Sequence, residues 1–201
     1  MASELQLVAI TSDDHEGSDF WNETLELLDR LESAWSRFLP DSDVTRLNHG
    51  HGRPIDVDSS TVTLVDAMVR AWRLTDHRFD PTTLRALTGA GYSASILDPR
   101  LVTVLPSGDL HFEDAAGGQP TMDDIAVSGH TIRLPAGMTI DAGGIGKGLA
   151  ADLAVAHALD SGADGAMASI GGDVAMGGRP TDGGWTIRVE CPLPDDGLVG
   201  T

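Results

Sequence analysis

The sequence predicts a mixed α/β chain of the α+β kind, with a helical N-terminal half packed on a largely antiparallel sheet. Three observations carry that prediction. Apolar residues recur at helical spacing in two long stretches before residue 80, and short alternating runs separated by turn residues fill the region from about 94 to 140. An alanine-rich helical stretch is then followed by glycine-punctuated strands. No internal repeat or low-complexity tract divides the 201 residues, so a single domain is expected from 1 to 201.

The first helix runs from Phe20 to Phe38, where Leu27, Leu28, Leu31, Ala34, Trp35 and Phe38 lie close to one face and acidic residues occupy the other. Pro40-Asp41-Ser42-Asp43 breaks it and offers an N-cap for a short helical segment, Val44 to Leu47, before a glycine-rich turn at 48–52. A second long helix starts after Asp58 or Ser59 and ends near Thr75 or Asp76, on the pattern Val62, Leu64, Val65, Ala67, Met68, Ala71, Trp72 and Leu74. Asp80-Pro81-Thr82-Thr83 starts a third helix with proline in its first turn, where the missing N–H costs nothing.

From there strands are expected at Leu101–Leu105, Leu110–Phe112, Ile125–Val127, Thr131–Leu134 and Met138–Ile140, as a meander. Leu149 to Leu159 is a helix stopped by Ser161-Gly162, and strands follow at Ala166–Ile170, around Val174–Met176 and at Trp185–Glu190. Cys191, the single cysteine, can form no internal disulfide and reads as a small hydrophobe in a strand. Pro192 to Gly197 leads out of that strand into a turn, as though a further strand should follow.

Lys and Arg number 13 against 31 Asp and Glu, a formal charge of −18, so a basic face for nucleic acid is excluded. No stretch approaches the roughly 20 apolar residues of a membrane span. Met1-Ala2-Ser3-Glu4-Leu5 lacks the basic and apolar regions of a signal peptide, and the cytoplasm is the expected location. One detail of the charge count matters more than its total. All the positive side chains are arginine except one, Lys147.

That lysine sits in Ile140-Asp141-Ala142-Gly143-Gly144-Ile145-Gly146-Lys147-Gly148-Leu149, between a predicted strand and a predicted helix. Glycines at a helix N-terminus present bare N–H groups to an anion, the macrodipole adds to the attraction, and a lysine supplies a point charge for phosphate. A phosphate-bearing ligand is therefore expected; the other reading is a turn built for close strand–helix packing with an incidental lysine. A P-loop is excluded, because Asp141 stands where its first glycine belongs and Gly148 where its Ser or Thr belongs. A dinucleotide fingerprint fits only in its alanine-ending variant, from Gly146 to Ala151, and the helices and meander before it are wrong for a doubly wound domain. Asp141 beside phosphate calls for a divalent cation or a hydrogen bond to a non-phosphate part of the ligand; it reads otherwise as a helix cap.

Asp141-x-x-Gly-Ile-Gly-Lys-Gly resembles the ApbE-like flavin transferases, the FAD:protein FMN transferases. Ser36-Arg37-Phe38-Leu39-Pro40-Asp41-Ser42 through Asn48, Arg78-Phe79-Asp80-Pro81-Thr82 and Ile170-Gly171-Gly172-Asp173 are similar to further segments of that family and stand in the same order. The resemblance covers about 20–192. It implies a T-fold-like architecture and a magnesium-dependent transfer of FMN from FAD to a threonine hydroxyl of an acceptor protein, with release of AMP. Carried over by position, Phe38 lies against the flavin, Arg78, Phe79 and Asp80 form part of the FAD pocket, Asp141 and Lys147 contact FAD, and the Gly144 carbonyl helps hold Mg2+.

The family continues with H-I-x-D-P and D-A-L-x-T segments that carry its catalytic histidine and remaining metal ligands, and neither occurs in these 201 residues. The expectation is a domain lacking its C-terminal part, with the catalytic residue unassigned. Ile96-Leu97-Asp98-Pro99-Arg100 echoes the first segment, but Ser95 stands where histidine should be, and it reads as an ordinary Asp-Pro turn. His49, His51 and His77 read as loop or helix-end residues, not replacement bases. An FAD pyrophosphatase yielding FMN and AMP, or a non-catalytic flavin-binding module, are the alternative functions.

Overall fold

The computed structural model describes residues 4–12, 18–96, 98–106, 120–180 and 183–189. Helices and strands follow in the order β1 (Leu5–Ile10), α1 (Ser18–Trp35), α2 (Asp43–Asn48), β2 (Ile55–Asp56), α3 (Ser59–Leu74), α4 (Leu84–Gly89), β3 (Ala126–Ser128), β4 (Thr131–Arg133), α5 (Gly146–Asp160), β5 (Gly165–Ile170) and β6 (Asp173–Gly178). The mixed architecture with antiparallel pairing is as the sequence predicts. One sheet has the order β1-β5-β6 and the other β2-β4-β3, with every pair antiparallel.

Helix α5 lies on the inner face of β5 and β6, and α1 and α3 pack against it. The contact is close because small residues meet small residues: Ala150, Ala151, Ala154 and Ala158 of the helix are buried, as are Ala166 and Ala168 of β5. A Cβ placed on Gly177 of β6 would meet Val155 and Leu159 side chains at 3.0 Å, so the glycine is required for the helix to sit this low. The larger apolar side chains fill the space between α1 and α3. Leu31, Leu64, Val65 and Met68 are inaccessible to solvent, each contributing about 1.5–3 kcal/mol of burial.

Local chemistry sets the helix ends. Ser42 caps α2 by accepting from the Thr45 amide at 3.1 Å, and Asp58 caps α3 by accepting from the Ser60 amide at 2.8 Å. The two helices are tied by a buried carboxylate. Asp43 accepts from the Arg46 guanidinium at 2.7 Å, the Asp58 amide at 2.8 Å and the Thr61 hydroxyl at 2.9 Å, so its charge is compensated by three donors.

Several expectations need correction. Strand β1 is an element that the sequence reading did not contain. The third helix begins at Leu84 after a turn through Pro81, in which the Asp80 carboxylate accepts from the Thr82 amide and hydroxyl. Met138–Ile140 is not a strand: both backbone groups of Ile140 bond the side chain of Asn48, at 2.7 and 2.9 Å, which replaces a neighbouring strand. Leu101–Leu105 contributes only a single bridge, Val102 to Ala94. Residues 185–189 are irregular, with no partner strand among the described residues. Leu110–Phe112, Cys191 and the turn at 192–197 lie outside the described residues. No described helix is long and apolar enough to cross a membrane.

Candidate functional site

A cavity of about 610 Å³ opens where four pieces of chain converge: the end of α1, the loop 36–39, the turn around residues 92–101, and the start of α5. Its size falls within the roughly 300–1,000 Å³ of small-molecule and cofactor sites. Phe38, Asp141 and Lys147 all line it, so three of the residues singled out from sequence are brought together from positions a hundred residues apart. Tyr92, Ile96 and Leu101 supply apolar wall on the opposite side.

The glycine turn is anchored at both ends. The Asp141 amide donates to the Pro81 carbonyl at 2.9 Å, and the amides of Ile145 and Gly146 both converge on the Ala142 carbonyl. Helix α5 therefore starts at Gly146, earlier than the expected Leu149, and Lys147 is its second residue. No side chain caps the helix, and the amides of Lys147 and Gly148 meet no acceptor among the described residues. Unpaired donors and a cation thus share one helix end, where the macrodipole favours an anion. Lys147 Nζ lies 3.6 Å from Asp173 of the Gly-Gly-Asp turn, an exposed pair that restrains the ammonium weakly.

Asp141 does not cap the helix, which removes that reading of it. Its partner is Arg37, whose Nε lies 3.4 Å from Asp141 Oδ1, with both side chains only 12% exposed. Arg37 Nη1 donates to the Thr103 hydroxyl at 3.0 Å and Nη2 to the Tyr92 carbonyl at 2.9 Å, while the guanidinium sits 4.5 Å from the centroid of the Phe38 ring. The sequence reading passed over Arg37. Its signal was the arginine directly before the ligand-facing aromatic, in a chain where the acid beside the phosphate turn needed a counter-charge.

Arg78, Phe79 and Asp80 stand beside the cavity and do not line it. Phe79 lies against the glycine turn, where a Cβ on Gly144 would meet its ring at 3.0 Å. Arg78 is exposed, and Asp80 is engaged by Thr82. Among the described residues no group of three His, Cys, Asp or Glu side chains is placed to hold a metal. The donors present are the exposed Gly144 carbonyl, which accepts no hydrogen bond among the described residues, and the Asp141 carboxylate, whose Oδ2 faces Gly143. Such a pair suits an ion that keeps most of its shell in phosphate and water.

None of the three histidines lines the cavity. His49 bonds the Val104 carbonyl at 2.7 Å, His77 stacks on Trp72 with ring centroids 3.7 Å apart, and His51 is exposed in a turn. Asp98 accepts from the Arg100 amide at 3.1 Å, which makes the echo at 96–100 a local turn. Arg100 bonds hold its carboxyl below the usual range.

No curated protein matches the chain. Solved structures do. The flavin transferase ApbE from Vibrio cholerae is 25% identical with a TM-score of 0.72, over 96% of this chain and 62% of that one. The apo flavinyl transferase ApbE of Pseudomonas stutzeri is 22% identical with a TM-score of 0.70, over 94% and 63%. The ApbE protein from Thermotoga maritima is 24% identical with a TM-score of 0.63, over 87% and 58%. This chain thus spans about three fifths of the length of those proteins. The ApbE family model matches residues 1–200, so the chain belongs to the ApbE family.

Proposed function

We propose that the chain is a flavin transferase domain that binds FAD in the 610 Å³ cavity and passes FMN to a threonine hydroxyl of an acceptor protein, releasing AMP. The observation that carries this reading is the placement of the lone lysine. Lys147, at the uncapped start of α5, lines a cavity that Phe38, Tyr92, Ile96 and Leu101 also line, which suits a ligand with a pyrophosphate at one end and a flat ring at the other. Phe38 lies against the flavin, Lys147 and Asp141 contact the nucleotide, and the Arg78-Phe79-Asp80 segment supports the glycine turn from outside. The reaction is expected in the cytoplasm.

In the transfer, the threonine oxygen attacks the phosphorus of the FMN half, and the bond to the bridging oxygen breaks. AMP leaves with that oxygen and its electron pair. The proton of the hydroxyl passes to a base, which the resemblance places in a histidine segment outside these 201 residues. Little covalent chemistry is asked of the protein, so the contribution of this stretch is positioning and charge neutralisation. Lys147 and the α5 amides hold non-bridging oxygens. Bound at the Gly144 carbonyl and the phosphates, Mg2+ would neutralise charge that develops on the leaving oxygen.

Co-expression of a chain extended through the histidine segment with candidate acceptor proteins, followed by incubation with FAD and MgCl2, tests the reading. The expected result is an FMN adduct on a threonine together with AMP. Free AMP with no adduct assigns a pyrophosphatase instead, and flavin bound with no AMP assigns a binding module. Lys147→Ala lowers adduct and AMP together.

A further inference from the structure

We propose that Arg37 is a positioning residue that sets the width of the cavity, by holding the hairpin formed by Ser93–Ser95 and Leu101–Thr103 at a fixed distance from Asp141. The inference rests on the flavin-nucleotide reading of the cavity for its consequence, though not for its geometry. Arg37 touches three separate pieces of the wall. Its Nε faces Asp141 at the glycine turn, its Nη1 donates to Thr103, its Nη2 donates to the Tyr92 carbonyl, and its plane lies over Phe38.

The hairpin has little else to hold it. It is closed by the bridge between Ala94 and Val102 and by bonds from the Ser95 amide to Leu101, the Leu101 amide to Asp98 and the Thr103 amide to Ser93. Tyr92, Ile96, Leu101 and Val102 are exposed, and none of the described hairpin residues belongs to the buried core. Apart from Arg37, His49 reaches it at the Val104 carbonyl. A segment with exposed backbone bonds and few buried contacts opens independently of the rest unless it is tethered.

Arginine suits this task and lysine does not. The planar fork offers donors in three directions at once, whereas an ammonium is a point charge on a floppy stem. With Arg37 in place, Asp141 meets a protein cation on its Oδ1 side and presents Oδ2 toward Gly143. The ligand then enters a cavity whose acid is already oriented and whose far wall is already in position, which lowers the ordering cost of binding.

The test measures hydrogen exchange and FAD affinity in the 201-residue protein and in Arg37→Gln, Arg37→Lys and Thr103→Val. Both Arg37 variants should raise exchange at the Ser95, Leu101 and Thr103 amides at least about tenfold, while α3 amides stay within about twofold. Thr103→Val, which removes one acceptor and leaves the arginine, should raise the same three by a smaller factor. FAD dissociation constants should rise at least about tenfold in Arg37→Gln and should not be restored in Arg37→Lys. Hairpin amides that exchange as in the wild type, or acceleration matched in α3, overturn the proposal. If Arg37→Gln does not fold, an unchanged hairpin in Thr103→Val overturns it equally. Absence of FAD binding by the wild type would defeat the ligand reading alone, and the exchange rates would still decide the role of Arg37.

Discussion

Lys147 lines the cavity at the start of α5. Its ion pair with Asp173 is exposed and worth at most about 1 kcal/mol, so Lys147→Ala should leave the melting temperature nearly unchanged. Its loss from the phosphate end should raise the FAD dissociation constant about tenfold to a hundredfold, read by titration of flavin fluorescence. Asp43 behaves in the opposite way. Replacing it with Ala leaves the buried Thr61 hydroxyl and the part-buried Asp58 amide without their acceptor, and a loss of about 2–3 kcal/mol is expected in urea unfolding without a direct effect on ligand affinity. Asp58 adds a pH signature: bonds from the Ser60 hydroxyl and amide hold its carboxyl below the ordinary 3.8. A lowered folded value stabilises above the unfolded pKa and is lost as pH falls through it. Asp58→Ala should therefore cost about 1 kcal/mol at neutral pH, and the difference from wild type should shrink below about pH 4.

Among the elements, α5 with β5 and β6 forms the platform that aims the lysine. A Cβ on Gly165 of β5 would collide with the backbone of Arg179, just past the end of β6, in a place where no side chain can yield. Gly165→Ala should open the β5–β6 pairing at that end and cost at least about 2 kcal/mol, measured by thermal unfolding. The helices were legible in the sequence because amphipathic spacing and caps are local signals, as the cap residues Ser42 and Asp58 show. Strands were less legible. β1, Leu5–Ile10, is a short apolar run broken only by Gln6, which periodicity alone does not assign, and it takes its place by pairing antiparallel with β5. Ile140 reads as strand but takes its bonds from Asn48, ninety-two residues away, which no local window contains.

At the scale of the whole molecule, the charge of −18 works against compaction, and screening should relieve it. The melting temperature should rise as NaCl is increased from about 10 mM to about 200 mM, while FAD affinity falls because the same ions screen Lys147. The balance between these two effects distinguishes a general repulsion from a local cationic site. A formal charge of −18 is compatible with a small anionic dinucleotide when positive groups are gathered locally. Here the groups available to an anion are the start of α5 and the Lys147 ammonium, while the Arg37 guanidinium offsets Asp141.

The residues that make chemistry possible were determined by sequence alone: a single lysine in a glycine turn, an acid before it, an aromatic loop, and their order along the chain. These are matters of residue type and short spacing, which a sequence states directly. Only the tertiary structure decided which of them share a cavity and what each one faces. Phe38, Asp141 and Lys147 meet there, while Arg78, Phe79 and Asp80 stand behind the turn. Asp141 takes its counter-charge from Arg37 across 104 positions of chain, a separation at which pairing depends on how α1, the hairpin and α5 pack and on nothing that either residue's neighbours encode.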